Sequence, residues 1–139
     1  MTYLNVEIVT PNGLSYSNDK AKLVVVRTLE GDLGIMPGHS PIIAPLVIDE
    51  VRVKLERDTK QQDIIATNGG IMEVRDNVVT IVADSAEKSS DIDVPRAERA
   101  KLRAEAKIAK AKEEKNIDNL RRAEVALSRA INRINVSKK

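Results

Sequence analysis

The chain has 139 residues, of which 42% are hydrophobic and 32% charged, with a formal net charge of +2. Tyr3 and Tyr16 are its only aromatic residues and it has no cysteine, so the core must be aliphatic and neither a disulfide framework nor a thiolate metal site can form. The length suits one ordinary domain or a small domain with an appendage. No apolar run approaches the roughly 20 residues of a membrane span. The opening MTYLNVEIVTPNG lacks the basic and apolar regions of a signal peptide, so a soluble chain that touches a membrane only through a partner is expected.

Leu4, Val6 and Ile8 alternate with Asn5, Glu7 and Val9, the period of a half-buried strand. Pro11-Asn12-Gly13 ends that strand, because proline presets φ and glycine admits positive φ. Residues 21–29 are β-branched and mostly apolar and predict a second long strand. Residues 30–41, EGDLGIMPGHSP, hold three glycines and two prolines and cannot be helical; an ordered turn is expected, with Ile35 and Met36 packed inward. Residues 42–48 and 51–55 read as two strands separated by Asp49-Glu50, and the polar residues 57–62 as an exposed turn. Residues 63–67 and 71–74 flank Asn68-Gly69-Gly70, a hairpin signal. Asp76-Asn77 turns the chain into a last strand over residues 78–83. Roughly eight to ten short strands in about 85 residues predict an antiparallel β-sandwich or flattened barrel.

The stretch ADSAEKSSDIDVPRA, residues 83–97, divides the chain. Residues 1–95 carry 9 Lys and Arg against 15 Asp and Glu, whereas residues 96–139 carry 14 against 6. The small overall charge therefore hides an acidic body and a basic one, and their joint is a natural place for a switch. Beyond Pro95 there is neither glycine nor proline, and the apolar period becomes helical. Asp93 is placed to cap a helix whose first turn tolerates Pro95. Ala97, Ala100, Ala104, Ile108 and Ala111 fall on one helical face, and Ile117, Leu120, Ala123, Leu127, Ala130, Ile131 and Ile134 on a second, with a break at Asn116. A two-helix hairpin follows, with Ser137, Lys138 and Lys139 expected to fray. The alanine-rich seam buries little area, so the hairpin is expected to dock, open or extend between states separated by a few kcal/mol. The whole is an α+β chain: residues 1–87 form the sandwich, 88–92 the joint and 93–139 the helical part.

Enzyme machinery is missing from the pattern. His39 is the only histidine and lies in a Gly-Pro loop, which makes it a surface or contact residue rather than a general base. No serine has a histidine nearby to activate it, and there is no phosphate loop of the Gly-rich Lys-Ser/Thr type. Asp84, Glu87, Asp91 and Asp93 sit near a helix start, where the helix dipole favours them. The basic residues are more informative. Arg99 and Arg103 are four apart, as are Arg129 and Arg133, and Arg122 lies seven before Arg129. In an antiparallel hairpin the first two pairs lie near the same end, where converging guanidinium groups bind phosphate; a solvated basic face is the bland alternative. Nucleic acid is not expected, since no aromatics are available to stack and glutamates intersperse the basic run.

Five segments, taken in order, resemble the ε subunit of bacterial F-type ATP synthases: VEIVTPNG (6–13), EGDLGIMPGHSPII (30–43), NGGIMEV (68–74), NVVTIVADSAE (77–87) and IDVPRA (92–97). The resemblance implies an N-terminal β-sandwich followed by a two-helix hairpin, in a noncatalytic rotor subunit peripheral to the cytoplasmic face of the cell membrane, one copy per proton-translocating complex. It implies that the sandwich binds the γ subunit of the central stalk and the c-subunit ring, with Glu30 and His39 matching the contact loop. It implies that the helices can extend toward the α and β subunits and restrain ATP hydrolysis. The family's I-D-x-x-R-A motif stands here as Ile92, Asp93, Arg96 and Ala97, and Glu87, Arg103, Arg122, Arg129 and Arg133 match its other nucleotide positions. ATP is therefore expected as a regulatory ligand, with no obligatory cofactor. From the residues alone, an unrelated sandwich-and-tail adaptor that binds no nucleotide remains open.

Overall fold

The computed structural model describes residues 2–55 and 61–139. Its elements run β1 (Leu4–Thr10), β2 (Gly13–Ala21), β3 (Leu23–Thr28), β4 (Gly31–Ile35), β5 (Ile42–Lys54), β6 (Gln62–Arg75), β7 (Val78–Val82) and β8 (Ala86–Lys88), then a 3-10 turn (Ser89–Asp91), α1 (Val94–Glu113) and α2 (Ile117–Ser137). The strands follow the order β2-β1-β7-β6-β5-β3-β4, with β8 paired to β6. Pairing is antiparallel except between β1 and β7, which run parallel with Asn5 opposite Val78 and Val9 opposite Val82. The long strands β5 and β6 belong to both layers. The later part of β6 pairs with β7, whereas its earlier part pairs with β8 and the later part of β5 pairs with β3. Alternation places Leu4, Val6, Ile8, Val24, Val26, Ile35, Val51, Val53, Met72, Val74 and Ile81 between the layers, all but fully buried. Every buried member of this main core lies before residue 84, so the sandwich is complete without the helices.

Several sequence expectations change here. Residues 30–41 contain strand β4, and Met36 is 51% exposed because it follows the inward Ile35 and alternation turns it outward. Asp49-Glu50 does not interrupt β5, which pairs with β6 on both sides of it. The expected hairpin at Asn68-Gly69-Gly70 is instead a bend within one strand. The pairing of Leu46 with Gly70 and of Ile48 with Asn68 keeps a single register through it. Gly69 and Gly70 have φ of +79° and +141°, and a Cβ on Gly70 would sit 2.1 Å from Val82 O. The glycines allow a close strand approach rather than a reversal. Asp76 and Asn77, at φ of 50° and 63°, do form the expected turn between β6 and β7. The turn expected over residues 57–62 falls largely on residues 56–60, outside the described residues.

Both helices are capped by side chains. Arg96 N donates to Asp93 Oδ1 at 3.1 Å, with Pro95 in the first turn. Asn119 N donates to Asn116 Oδ1 at 3.1 Å. Each cap satisfies one of the free amides at a helix start. Between the helices Lys115 takes a left-handed φ of 54°, while Asn116 N donates to Ala111 O at 2.9 Å and Lys115 N to Lys112 O at 3.2 Å, the pattern of a Schellman C-cap. The buried seam is Ala97, Ala104 and Ala111 on α1 and Ala123 and Ala130 on α2, at intervals of seven. Small residues at that spacing let the helices approach closely. Ile117 and Ile131 were expected on this face but are exposed, Ile117 because it stands in the first turn beyond the seam and Ile131 because it is rotated about 100° from Ala130. The C-terminal residues, expected to fray, are engaged here: α2 continues to Ser137, whose Oγ donates to Ile134 O at 2.6 Å, and Lys139 pairs with Glu50.

A side-chain bond ties β2 to β6, beyond the ladder that joins β1 to β7. Tyr16 Oη donates to Asp63 Oδ2 at 2.6 Å, and Lys88 Nζ lies 3.3 Å from Asp63 Oδ1. Burial first, then the bond to Asp63 and its charge, hold the Tyr16 phenol well above its ordinary value of 10.0. The folded chain therefore keeps this proton where the unfolded chain releases it, so the stabilisation is complete below the unfolded value and is lost as pH rises past it. Urea unfolding followed across alkaline pH should show stability falling above about pH 10, with a shallower fall in Tyr16→Phe.

Candidate functional site at the joint of sandwich and hairpin

The chain passes from sandwich to hairpin through β8 and the 3-10 turn. Alternation along β8 sends neighbouring side chains to different partners: Lys88 meets Asp63 on β6, and Glu87 meets α2. The principal helix contacts with β5, β6 and the 3-10 turn come from α2. They begin with a small apolar cluster, distinct from the main core, of Ile64 and Ala66 on β6, Ile92 after the turn and Val136 on α2.

Polar contacts surround that cluster. Arg133 Nε donates to Glu87 Oε1 at 2.8 Å, and its Nη2 reaches Ser85 Oγ at 3.5 Å. Asn132 Nδ2 donates to Asp49 O at 3.1 Å and to Thr67 O at 3.2 Å. Lys139 Nζ pairs with Glu50 Oε1. Asn132, Arg133 and Val136 lie within the last two turns of α2 and Lys139 follows its C-cap, which explains how so short a stretch carries the contact. Beneath it, Arg27 pairs with Asp32 at 2.7 Å and approaches Asp49 at 3.7 Å, while Arg52 lies 3.9 Å from both Asp32 and Glu50. These pairs offset much of the negative charge that β5 presents to the helix end.

The residues singled out from the sequence are only partly gathered. Glu87 and Arg133 form an ion pair, and Ile92 is buried beside them. Asp93 spends its carboxylate on the α1 cap, and Ala97 is in the helix seam. Arg96, Arg103 and Arg122 are exposed, and among the described residues their side chains make no ion pair. Arg122 lines a groove of about 400 Å³ with Lys107, Lys110, Glu114 and Asn119 at the tip of the hairpin. It lies eleven residues before Arg133, about 16 Å along the helix, so it does not share the Arg133 site. Arg129 is half-buried, and its Nε is enclosed without a hydrogen-bond partner. Glu30 and His39 stand at opposite ends of β4 rather than in one loop. Glu30 N donates to Thr28 Oγ1 in one turn, and His39 Nδ1 donates to Ser40 O in another, whose Gly38 N donates to Asn77 Oδ1.

Sequence reasoning missed Asn132, Lys139, Asp49, Glu50, Thr67 and Ser85 as contact residues. The one local signal was Asn132, a polar residue set between Ile131 and Ile134 of the helical stripe.

Comparison with known proteins follows the same architecture. A chain of the Euglena gracilis mitochondrial ATP synthase, from the assembly of OSCP, F1 and c-ring, superimposes with a TM-score of 0.78 at 19% identity, covering 100% of this chain and 83% of that one. A chain from the central stalk and c-ring of the Tetrahymena thermophila mitochondrial ATP synthase gives a TM-score of 0.54 at 16% identity, covering 68% of this chain and 72% of that one. At such identities the likeness is one of fold. Sequence models carry the assignment further: the beta-sandwich domain of the ATP synthase Delta/Epsilon chain matches residues 3–89, and its long alpha-helix domain matches residues 90–138. Sandwich and hairpin thus match the two domains of one family in order and nearly end to end, and the chain belongs to the ATP synthase delta/epsilon chain family rather than to an unrelated class of adaptors.

Proposed function

We propose that the chain is a noncatalytic rotor subunit of a proton-translocating F-type ATP synthase at the cytoplasmic face of a bacterial cell membrane, and that its hairpin is a mobile restraint on ATP hydrolysis. In this reading residues 1–87 bind γ and the c-subunit ring, 88–92 act as the joint, and 93–139 extend toward the α and β subunits. The observation that carries the reading is the shallow docking of the hairpin. The sandwich core closes without it, and the principal helix contacts with the sandwich come from α2 alone. A body held by so little can leave for a few kcal/mol, the scale on which a ligand or partner shifts a population.

A second feature supports the stalk-binding role. Pro45, Ile71, Val82, Val9 and Leu14 are in register across β5, β6, β7, β1 and β2. Ile71, Val82 and Leu14 are 54%, 56% and 61% exposed, and Ile43 nearby on β5 is 71% exposed. A shallow cavity of about 420 Å³ opens beside them, against Val9, Pro11 and Gly70. An apolar shelf of this kind suits a partner surface, and in this reading γ is its occupant.

For ATP, the fit rests on Arg129, whose enclosed Nε is a donor that an anionic ligand would satisfy. Arg133 beside Glu87, and Arg103 on α1, are the further cations that would hold phosphate, with Asp93 and Arg96 at the start of α1 completing the motif.

The double substitution Ile71→Asp with Val82→Asp should abolish co-purification with γ, whereas a chain ending at Lys88 should still bind γ and no longer restrain hydrolysis. Retention of γ by the first, or its loss by the second, contradicts this division of labour. In calorimetry, ATP should bind the whole chain one to one, with Arg103→Ala weakening it at least about fivefold; absence of saturable binding returns the arginines to a solvated basic face.

A further inference from the structure

We propose that Asn132 is the latch that seats the hairpin on the sandwich in the ligand-free chain. The inference rests on the reading above that the hairpin can leave. The Asn132 carboxamide nitrogen donates to two backbone carbonyls, Asp49 O at 3.1 Å and Thr67 O at 3.2 Å. Asp49 and Thr67 face each other across β5 and β6, so one amide group spans a cross-strand pair. Both acceptors are carbonyls, which fixes the amide with its nitrogen toward the sheet. The receptor is rigid: Thr67 is 1% exposed, and its Oγ1 donates to the same Asp49 carbonyl at 3.2 Å. Thr67 stands two residues before the Gly69-Gly70 bend, where Gly70 closely approaches the Val82 carbonyl.

The neighbouring contacts adapt more readily to a shift of the helix. Val136 contributes apolar burial, which tolerates sliding and rotation of the helix. Arg133 with Glu87 and Lys139 with Glu50 are partly exposed charge pairs, which salt screens and long side chains can follow over a range of positions. Asn132 is short and uncharged, and its two hydrogen bonds are met together in one register of α2 against the sheet. It therefore decides where the helix seats, and its contribution is insensitive to ionic strength. Replacing its nitrogen by oxygen keeps the shape and turns both donors into an acceptor facing two acceptors.

The cysteine-free chain permits the direct test, in which spin labels on Arg75→Cys and Glu114→Cys report the distance between the sandwich and the hairpin tip without nucleotide. Asn132→Asp is expected to shift the docked-to-released ratio at least about tenfold toward release, with amide exchange in β1, β5 and β6 unchanged. An unchanged distance distribution in Asn132→Asp, with release in Val136→Asp, overturns the latch and leaves the mobile hairpin standing. No release in either variant overturns both. Loss of β-core protection in Asn132→Asp also overturns the latch, because the residue would then belong to the fold of the sandwich.

Discussion

Ile64, Ala66, Ile92 and Val136 decide how the two bodies of this chain relate. They are the apolar contact between a sandwich that has already closed its core and a hairpin whose own seam is mostly alanine. Burying a side chain of this size is worth roughly 1.5–3 kcal/mol relative to full exposure. Ile64 and Ala66 remain partly covered by their own sheet when the helix leaves, so the net apolar gain of docking is on the order of a few kcal/mol. That scale is small against the main core and large enough to favour one arrangement. It allows a subunit with a permanently folded half to carry a movable one.

Charge acts on the same joint at longer range. The acidic excess of residues 1–95 and the basic excess of residues 96–139 attract each other in the docked state. Few of these charges meet directly. Arg133 finds Glu87 and Lys139 finds Glu50, while Arg96, Arg103 and Arg122 face outward. A hairpin that left the sandwich would keep most of its positive surface for another acidic partner, having given up only a few pairs. Exposed ion pairs contribute little singly, so the balance between docked and released forms follows the sum of small terms together with the geometry that Asn132 enforces.

The large features of this fold were legible because they depend on local pattern. Alternation in β1 and heptad alanines in the helices follow from the period of each element, Asp93 caps α1 as its chemistry suggests, and the helices break at Asn116. The bend at Gly69-Gly70 was misread because positive φ serves a turn and a bend equally. The choice between them is made by the Val82 carbonyl, remote in sequence. Asp49-Glu50 looked like a break because both are polar, yet they stay in β5 where Arg27, Arg52 and α2 meet them. The site was less legible for the same reason. Spacing shows which arginines share a helix face, but the partners of Arg133 and Lys139 lie 46 and 89 residues away. Lys139 looked like a loose end until Glu50 stood opposite it.

The central claim is that the hairpin is a separately opening body on a self-sufficient sandwich. Native-state amide exchange of the whole chain, without nucleotide, tests it most directly. Amides in α1 and α2 should exchange through an opening well below the global unfolding free energy, while those in β1, β5 and β6 exchange only with global unfolding. Equal protection of both helices and the β core would contradict the account, because sandwich and hairpin would then unfold as one unit.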